Sequence, residues 1–162
     1  MGQYGLQLQD WKVCTVIVTE RQDILGTWLC NRIGLTPSPN LRCIGNLSAE
    51  GGIIGVVGYD GFNGASAQMH SAGDGNWVTR DLLFAAFDYP FNVCKLNMVM
   101  GLLPSGNVQA IKFNKHLGFR TVLDLPGAHP DGSLIVMVME RRECRFLKRK
   151  AHGQEIRSPT SA

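Results

Sequence analysis

Glycine crowds one part of this chain: of its 19 glycines, nine fall between Gly45 and Gly75. They alternate there with short apolar and β-branched runs. A helix would lose about 1 kcal/mol at each such glycine, and the apolar runs argue against disorder. Short strands with tight connections satisfy both facts. The reading is three strands, near residues 41–47, 52–59 and 65–70, joined by turns at Ala49-Glu50-Gly51-Gly52 and Tyr59-Asp60-Gly61-Phe62-Asn63-Gly64. An antiparallel meander follows.

The flanks supply helices. Residues 12–19 (KVCTVIVT) read as a strand, and Glu20–Ile33 as an amphipathic helix with Ile24, Leu25, Trp28, Leu29 and Ile33 inward. Pro37 and Pro39 break the chain. A helix is expected over Val78–Tyr89, stopped at Pro90, with Phe84 inside. A buried-type strand follows at 96–103, then a helix at 107–117 closed by Gly118, strands near 119–125 and 133–139, and a short helix over 140–147. The order β-α-β-β-β-α-β-α-β-β gives one α/β (α+β) domain over residues 1–147, with 148–162 as a disordered basic tail.

Charge excludes more than it suggests. The formal net charge of +3 is mild. Residues 141–150 (RRECRFLKRK) hold six basic residues and one acid, and elsewhere 10 basic residues face 12 acidic ones. The positive charge therefore belongs to one segment, either a solvated end or a patch for an acidic partner or polyphosphate. No aromatic platform accompanies it, which argues against nucleic acid. Five widely spaced cysteines and four histidines form no metal-ligand pattern and no disulfide framework, so reduced thiols and no metal are expected. Cys94 has no identifiable base to make it a nucleophile. No apolar run is long enough to span a bilayer, and MGQYGLQLQD does not read as a signal peptide. A cytoplasmic protein with no membrane partner is the expectation.

The chemistry concentrates in 70-HSAGDGNW-77. Glycines ahead of a helix let its unpaired amides reach an anion, and such a combination binds phosphate. Asp74 opposes that use, and Asn76 serves equally as a plain helix cap.

A second segment, 107-NVQAIKFNKHLGF-119, resembles the N-x-x-A-I-x-x-x-x-K-x-G-F pattern of the GCN5-related N-acetyltransferases, the GNAT superfamily. His116 stands at the K position, with Lys115 before it. Its distance from Thr79 resembles the ribosomal-protein N-terminal acetyltransferase branch, where a G-x-G-Y-A-T-E-A-L run plays the part of Gly75 to Leu82. The closing HPDG…IVMVMERRECRFL is similar to the end of small members, some of them phage-encoded. The resemblance spans about Val13 to Leu147.

The resemblance implies a mixed, mostly antiparallel sheet of about seven strands with flanking helices, splayed between the fourth and fifth strands. It implies acetyl-CoA as co-substrate, its pantetheine in that gap beside Met69 and His70 and its pyrophosphate on Gly73, Gly75, Asn76 and Trp77. Asn107, Ala110 and Phe113 would line the pantetheine side. Two registers of the pyrophosphate loop remain open: His70-x-x-Gly73-x-Gly75, or one set by Thr79 with Asn76 in the last glycine position. The family's proton-donor positions are occupied by Asn114, where a tyrosine is usual, and Ala110, where the ribosomal branch has serine. His70, Glu50 or Asp60 is the candidate base, and Ser105 the candidate donor to the leaving thiolate.

Two functions follow. One is an N-acetyltransferase acting on a primary amine: a protein N-terminus, a lysine or a small amine. The other is a catalytically weak GNAT-like protein that binds a protein partner, from a host if the chain is of phage origin.

Overall fold

The computed structural model describes residues 14–148. Seven strands form a single sheet in the order β1-β2-β3-β4-β5-β7-β6. In chain order they are β1 (Val16–Val18), β2 (Arg42–Leu47), β3 (Ile53–Asp60), β4 (Ser66–Gly73), β5 (Met98–Pro104), β6 (Arg120–His129) and β7 (Gly132–Glu140). Three helices accompany them: α1 (Gln22–Ile33), α2 (Arg80–Asp88) and α3 (Val108–Leu117). Lys12, Val13 and the expected tail 149–162 lie outside the described residues.

The glycine-punctuated region is the antiparallel meander β2-β3-β4. β4 then meets β5 in parallel through only three pairs, Ser66↔Met98, Ala67↔Val99 and Gln68↔Met100. Beyond them β4 continues to Gly73 while β5 turns to pair with β7 along its whole length. From Met69 onward the two strands part, and the peptide groups they turn toward each other have no ladder. The sheet is splayed where the resemblance expects it.

Each face of the sheet carries its own core. On one side Leu25, Leu29 and Cys30 of α1 pack on Leu41, Cys43 and Val56. On the other, α2 and α3 cover Ile44, Val57, Tyr59, Val99, Leu103 and Met137. Phe87 anchors this second core, stacked on Phe146 at 4.9 Å and Phe91 at 6.4 Å and tilted against Phe119. Burying a side chain of this size contributes about 1.5–3 kcal/mol. Tyr59, fully buried, satisfies its hydroxyl by donating to the Ala86 carbonyl, tying α2 to β3.

Several local expectations shift. In α1, Ile24 is exposed, Trp28 only partly buried, and Cys30 takes the inner position. In α2, Phe87 rather than Phe84 is the buried ring. Pro90 does not stop the chain's helical path: Tyr89–Val93 forms one π turn directly after α2, and the Ala86 carbonyl, which a residue-90 amide would have met, accepts from the Tyr59 hydroxyl instead. The expected helix at 140–147 is two 3₁₀ turns, Arg141–Glu143 and Arg145–Lys148. Its arginines are engaged: Arg141 with the Phe91 carbonyl and Asn92, Arg142 with Glu140 at 2.7 Å, Arg145 with the His116 carbonyl at 2.9 Å. This part of the basic run therefore knits the end of β7 to α2 and α3 rather than standing free as a patch.

Candidate active site at the splay between two strands

The opening between β4 and β5 is a cleft of about 510 Å³. That lies within the range of small-molecule sites. Alternation along the strands assigns its two sides. Met69 packs with the α2/α3 core, whereas Ala72, in step with His70, packs with the α1 core. Neighbouring residues of β4 thus face opposite sides of the sheet, and the cleft passes between them.

On the α2/α3 side the wall is Met69, Trp77, Leu82, Asn107, Ala110, Phe113 and Asn114. Six of the nine residues expected at a cofactor site are brought together here or beside it: Met69, His70, Trp77, Asn107, Ala110 and Phe113. Asn107 is the N-cap of α3, its side-chain oxygen accepting from the Ala110 amide at 3.1 Å. Asn107 also lines the cleft, and that bond uses only its side-chain oxygen. The Asn114 side-chain amide lies against Gly101 of β5.

The glycines of 73–75 have a different reason from the one the sequence suggests. Gly73 pairs directly with Gly55 across β3 and β4. A Cβ built on either would fall within 3.0 Å of the Trp77 side chain. Gly73 does not need a left-handed backbone; what it lacks room for is a side chain, because the indole lies flat on the glycine pair. Trp77 in turn meets Phe113 at 6.3 Å and forms the cleft's floor near α3. Gly75 is the opposite case, with φ +58° and open space around its Cβ position. It is a turn glycine, set by backbone conformation. Asp74 turns away to Arg32 at 2.8 Å, and its amide bonds the Ile54 carbonyl. Arg32 also lies 3.8 Å over the Trp28 ring.

Helix α2 starts later than expected. Thr79, not Asn76, is its N-cap, the hydroxyl accepting from the Leu82 amide at 3.2 Å. Leu83 N–H goes to the Thr79 carbonyl. First-turn amides lack intrahelical partners, so those of Arg80 and Asp81 are left facing outward at the helix's positive end. The preceding segment is pinned from below by buried Asn46, which donates to the Trp77 carbonyl at 2.8 Å.

On the α1 side stands His70, its Nε2 2.8 Å from Asp60 Oδ1, with both side chains about one-fifth exposed. A carboxylate only accepts, so Nε2 carries the hydrogen and Nδ1 is the ring nitrogen left to take a proton. Two of the three candidate bases are therefore one unit. The third, Glu50, is exposed in the β2–β3 turn, away from the cleft, and a hydrogen bond from Ser48 holds its carboxyl below the usual range. Ser105 is not in the cleft either: it stands at the end of β5, and its hydroxyl accepts the Ser133 amide at 3.1 Å. It fastens β5 to the β7 hairpin. Sequence reasoning missed the His70–Asp60 pairing, for which Gly58↔His70 and Asp60↔Gln68 registration is the only signal.

Burial keeps Cys43 a thiol, pushed up to about 12, and Cys30 and Cys144 are also raised by burial. Among the described residues no group of three or more His, Cys, Asp or Glu gathers as a metal site, and no helix is long and apolar enough to cross a membrane.

No protein-family model matches the chain, and no curated protein matches it. Solved structures do. Spermidine N-acetyltransferase SpeG from Vibrio cholerae in complex with CoA and spermine superposes with a TM-score of 0.67 at 16% identity, covering 83% of this chain and 98% of that one. Mutant forms of the same enzyme give 0.68 at 16% identity, covering 85% and 100%. Its complex with manganese ions gives 0.62 at 15% identity, covering 78% and 92%. With the seven-stranded order, the β4–β5 splay and these superpositions, the chain has the fold of the GNAT N-acetyltransferases.

Proposed function

We propose that the protein is an acetyl-CoA-dependent N-acetyltransferase acting on a primary amine. The observation that carries this reading is the cleft itself. It opens through the sheet, with an apolar wall and a helix N-terminus on one side and a histidine–aspartate pair on the other. The ladder-free peptide groups of β4 beyond Gln68 suit the two amides of a pantetheine arm. Met69, Ala110 and Phe113 supply its apolar surroundings, and the Asn107 side-chain amide a donor. The Gly75–Thr79 turn and the amides of Arg80 and Asp81 suit the pyrophosphate. Gly73 contributes indirectly, by seating Trp77. That a similarly folded enzyme is found in complex with CoA supports CoA as the ligand.

Acetyl transfer needs a deprotonated amine, a polarised carbonyl and a leaving thiolate. His70, held by Asp60, takes the acceptor's proton at Nδ1. A strand amide of β4 near Met69 polarises the carbonyl oxygen. The amine nitrogen bonds to the carbonyl carbon as the carbon–sulfur bond breaks, and coenzyme A leaves with a proton. Asn114, with its side-chain amide in the cleft where the family pattern has a tyrosine, is a neutral hydrogen-bond donor for the sulfur. Ser105 is not proposed for that role, given its bond to Ser133.

Calorimetric titration with acetyl-CoA tests the reading, followed by coenzyme A release in the presence of amines. Binding near 1 μM, about −8 kcal/mol, is expected. His70→Gln should keep that affinity and lose about 10²-fold or more in kcat. No binding at millimolar acetyl-CoA refutes the proposal. A second reading, a GNAT-fold protein that works by binding a protein partner, host-derived or not, is favoured by one observation. Edge strand β6 exposes Val122, Leu123 and Leu125. It requires that no amine be acetylated.

A further inference from the structure

Resting on that reading, we infer that the acceptor is a primary amine whose only positive charge is the reacting one and whose substituent is apolar, not a polyamine. The α1 side of the cleft carries the inference. Its rim is Ile33 and Leu35, where α1 passes into the next loop, and Leu102, on the face of β5 opposite buried Leu103. Leu35 and Leu102 are 40% and 41% exposed, large apolar side chains left open to solvent beside a cleft. The polar β4 side chains on this side are Gln68 and His70, in step with Ala72.

Among the described residues no carboxylate lines this cleft. Two acids bonded to lining residues are already engaged: Asp60 holds His70 at 2.8 Å and Asp74 holds Arg32 at 2.8 Å. Arg32 is itself in the lining. A second ammonium carried by the acceptor would meet an arginine and two leucines and would lose its water without gaining a counter-charge. An alkyl or aryl group in the same position would bury against Ile33, Leu35 and Leu102. A free alkylamine and the N-terminus of a peptide with an apolar first residue present this same chemistry.

The transfer is balanced as for any amine. The carbon–nitrogen bond forms, the carbon–sulfur bond breaks, one ammonium proton passes to His70 and a second leaves with the thiolate as the coenzyme A thiol. Only the part of the acceptor beyond the nitrogen distinguishes one substrate from another.

The experiment compares kcat/KM for acetyl transfer to n-hexylamine and to 1,5-diaminopentane, which match in length and differ in a terminal methyl against a terminal ammonium. Spermidine, the n-alkylamine series and peptides beginning with Leu or Lys are measured beside them. The expected result is at least tenfold preference for hexylamine over the diamine, with kcat/KM rising about fourfold per methylene from propyl to hexyl. Leu35→Ala with Leu102→Ala should flatten that rise, while both single variants, exposed at the surface, remain folded by circular dichroism. A Leu-peptide preferred over hexylamine identifies the source as a polypeptide N-terminus; the reverse identifies a small amine. Equal or better use of spermidine or the diamine overturns the inference and leaves the acetyltransferase reading intact. Acetyl-CoA binding with no transfer to any amine also overturns it. Failure to bind acetyl-CoA removes the reading on which it stands.

Discussion

The placement of Trp77 on the Gly55–Gly73 pair makes a prediction with a sign. In ordinary strands, replacing glycine by alanine gains about 0.5–1 kcal/mol from reduced backbone freedom. At Gly73 the new Cβ would fall within 3.0 Å of the indole. Displacing a ring that rests on two strands and against Phe113 at 6.3 Å resembles overpacking, about 1–3 kcal/mol. Gly73→Ala should therefore destabilise by about 1–2 kcal/mol. Trp77→Ala alone should cost about 2 kcal/mol, below the 3–5 of a fully buried tryptophan because this one is only partly buried. In the Trp77→Ala background the obstacle is gone, and Gly73→Ala should become neutral or stabilising. The cycle predicts a coupling of about 1–3 kcal/mol. Urea unfolding followed by circular dichroism measures it. If Gly73→Ala costs the same in both backgrounds, the glycine is not there for the indole, and the account of this loop is wrong.

Three further outcomes follow from the site and the core. Asp60→Asn should lower kcat at least tenfold without weakening acetyl-CoA binding, with partial recovery in Asp60→Glu, because Asp60 acts by orienting His70 at 2.8 Å; unchanged kcat would show that His70 needs no partner. Thr79→Ala should cost about 1 kcal/mol in unfolding free energy and weaken acetyl-CoA binding, since the hydroxyl caps α2 at Leu82; a stability loss with full affinity would separate α2's first turn from the cofactor. Cys43, raised from 9.0 to about 12 by burial, keeps its proton in the folded chain while the unfolded chain loses it. Its contribution is complete below pH 9 and falls as pH rises toward 12, by at most about 1.4 kcal/mol per pH unit. Cys43→Ala should make the alkaline decline of stability shallower, measured by urea midpoints between pH 8 and 10.5.

The fold was legible because most of its information is local. The β2-β3-β4 meander follows from apolar runs broken by turn glycines. α3 follows from a polar cap at Asn107 and a glycine stop at Gly118, both observed. The misplacements were also local contests decided from afar. Val78 reads as helix until Thr79, two residues past Trp77, takes the cap and leaves Trp77 extended across the sheet. Ile24 reads as an inner residue of α1 until the helix settles with Cys30 inward, because α1 lies over β2, β3 and β4 but not over the far strands.

Composition, periodicity and turn chemistry thus determined which elements form, their order, and that a glycine-rich turn precedes a helix; the splayed strand pair beside it was implied by the family resemblance alone. Tertiary structure alone decided what occupies the space those elements enclose. Gly73 and Gly55 are distant in sequence and become opposite neighbours only through one register of β3 and β4. The same register brings His70 and Asp60 onto one face, where they meet. A one-residue slip would send each side chain to the opposite face of the sheet. The identity of a base, the reason for a glycine and the absence of carboxylates from a rim are all properties of that alignment, and alignment is set by packing summed over the whole sheet.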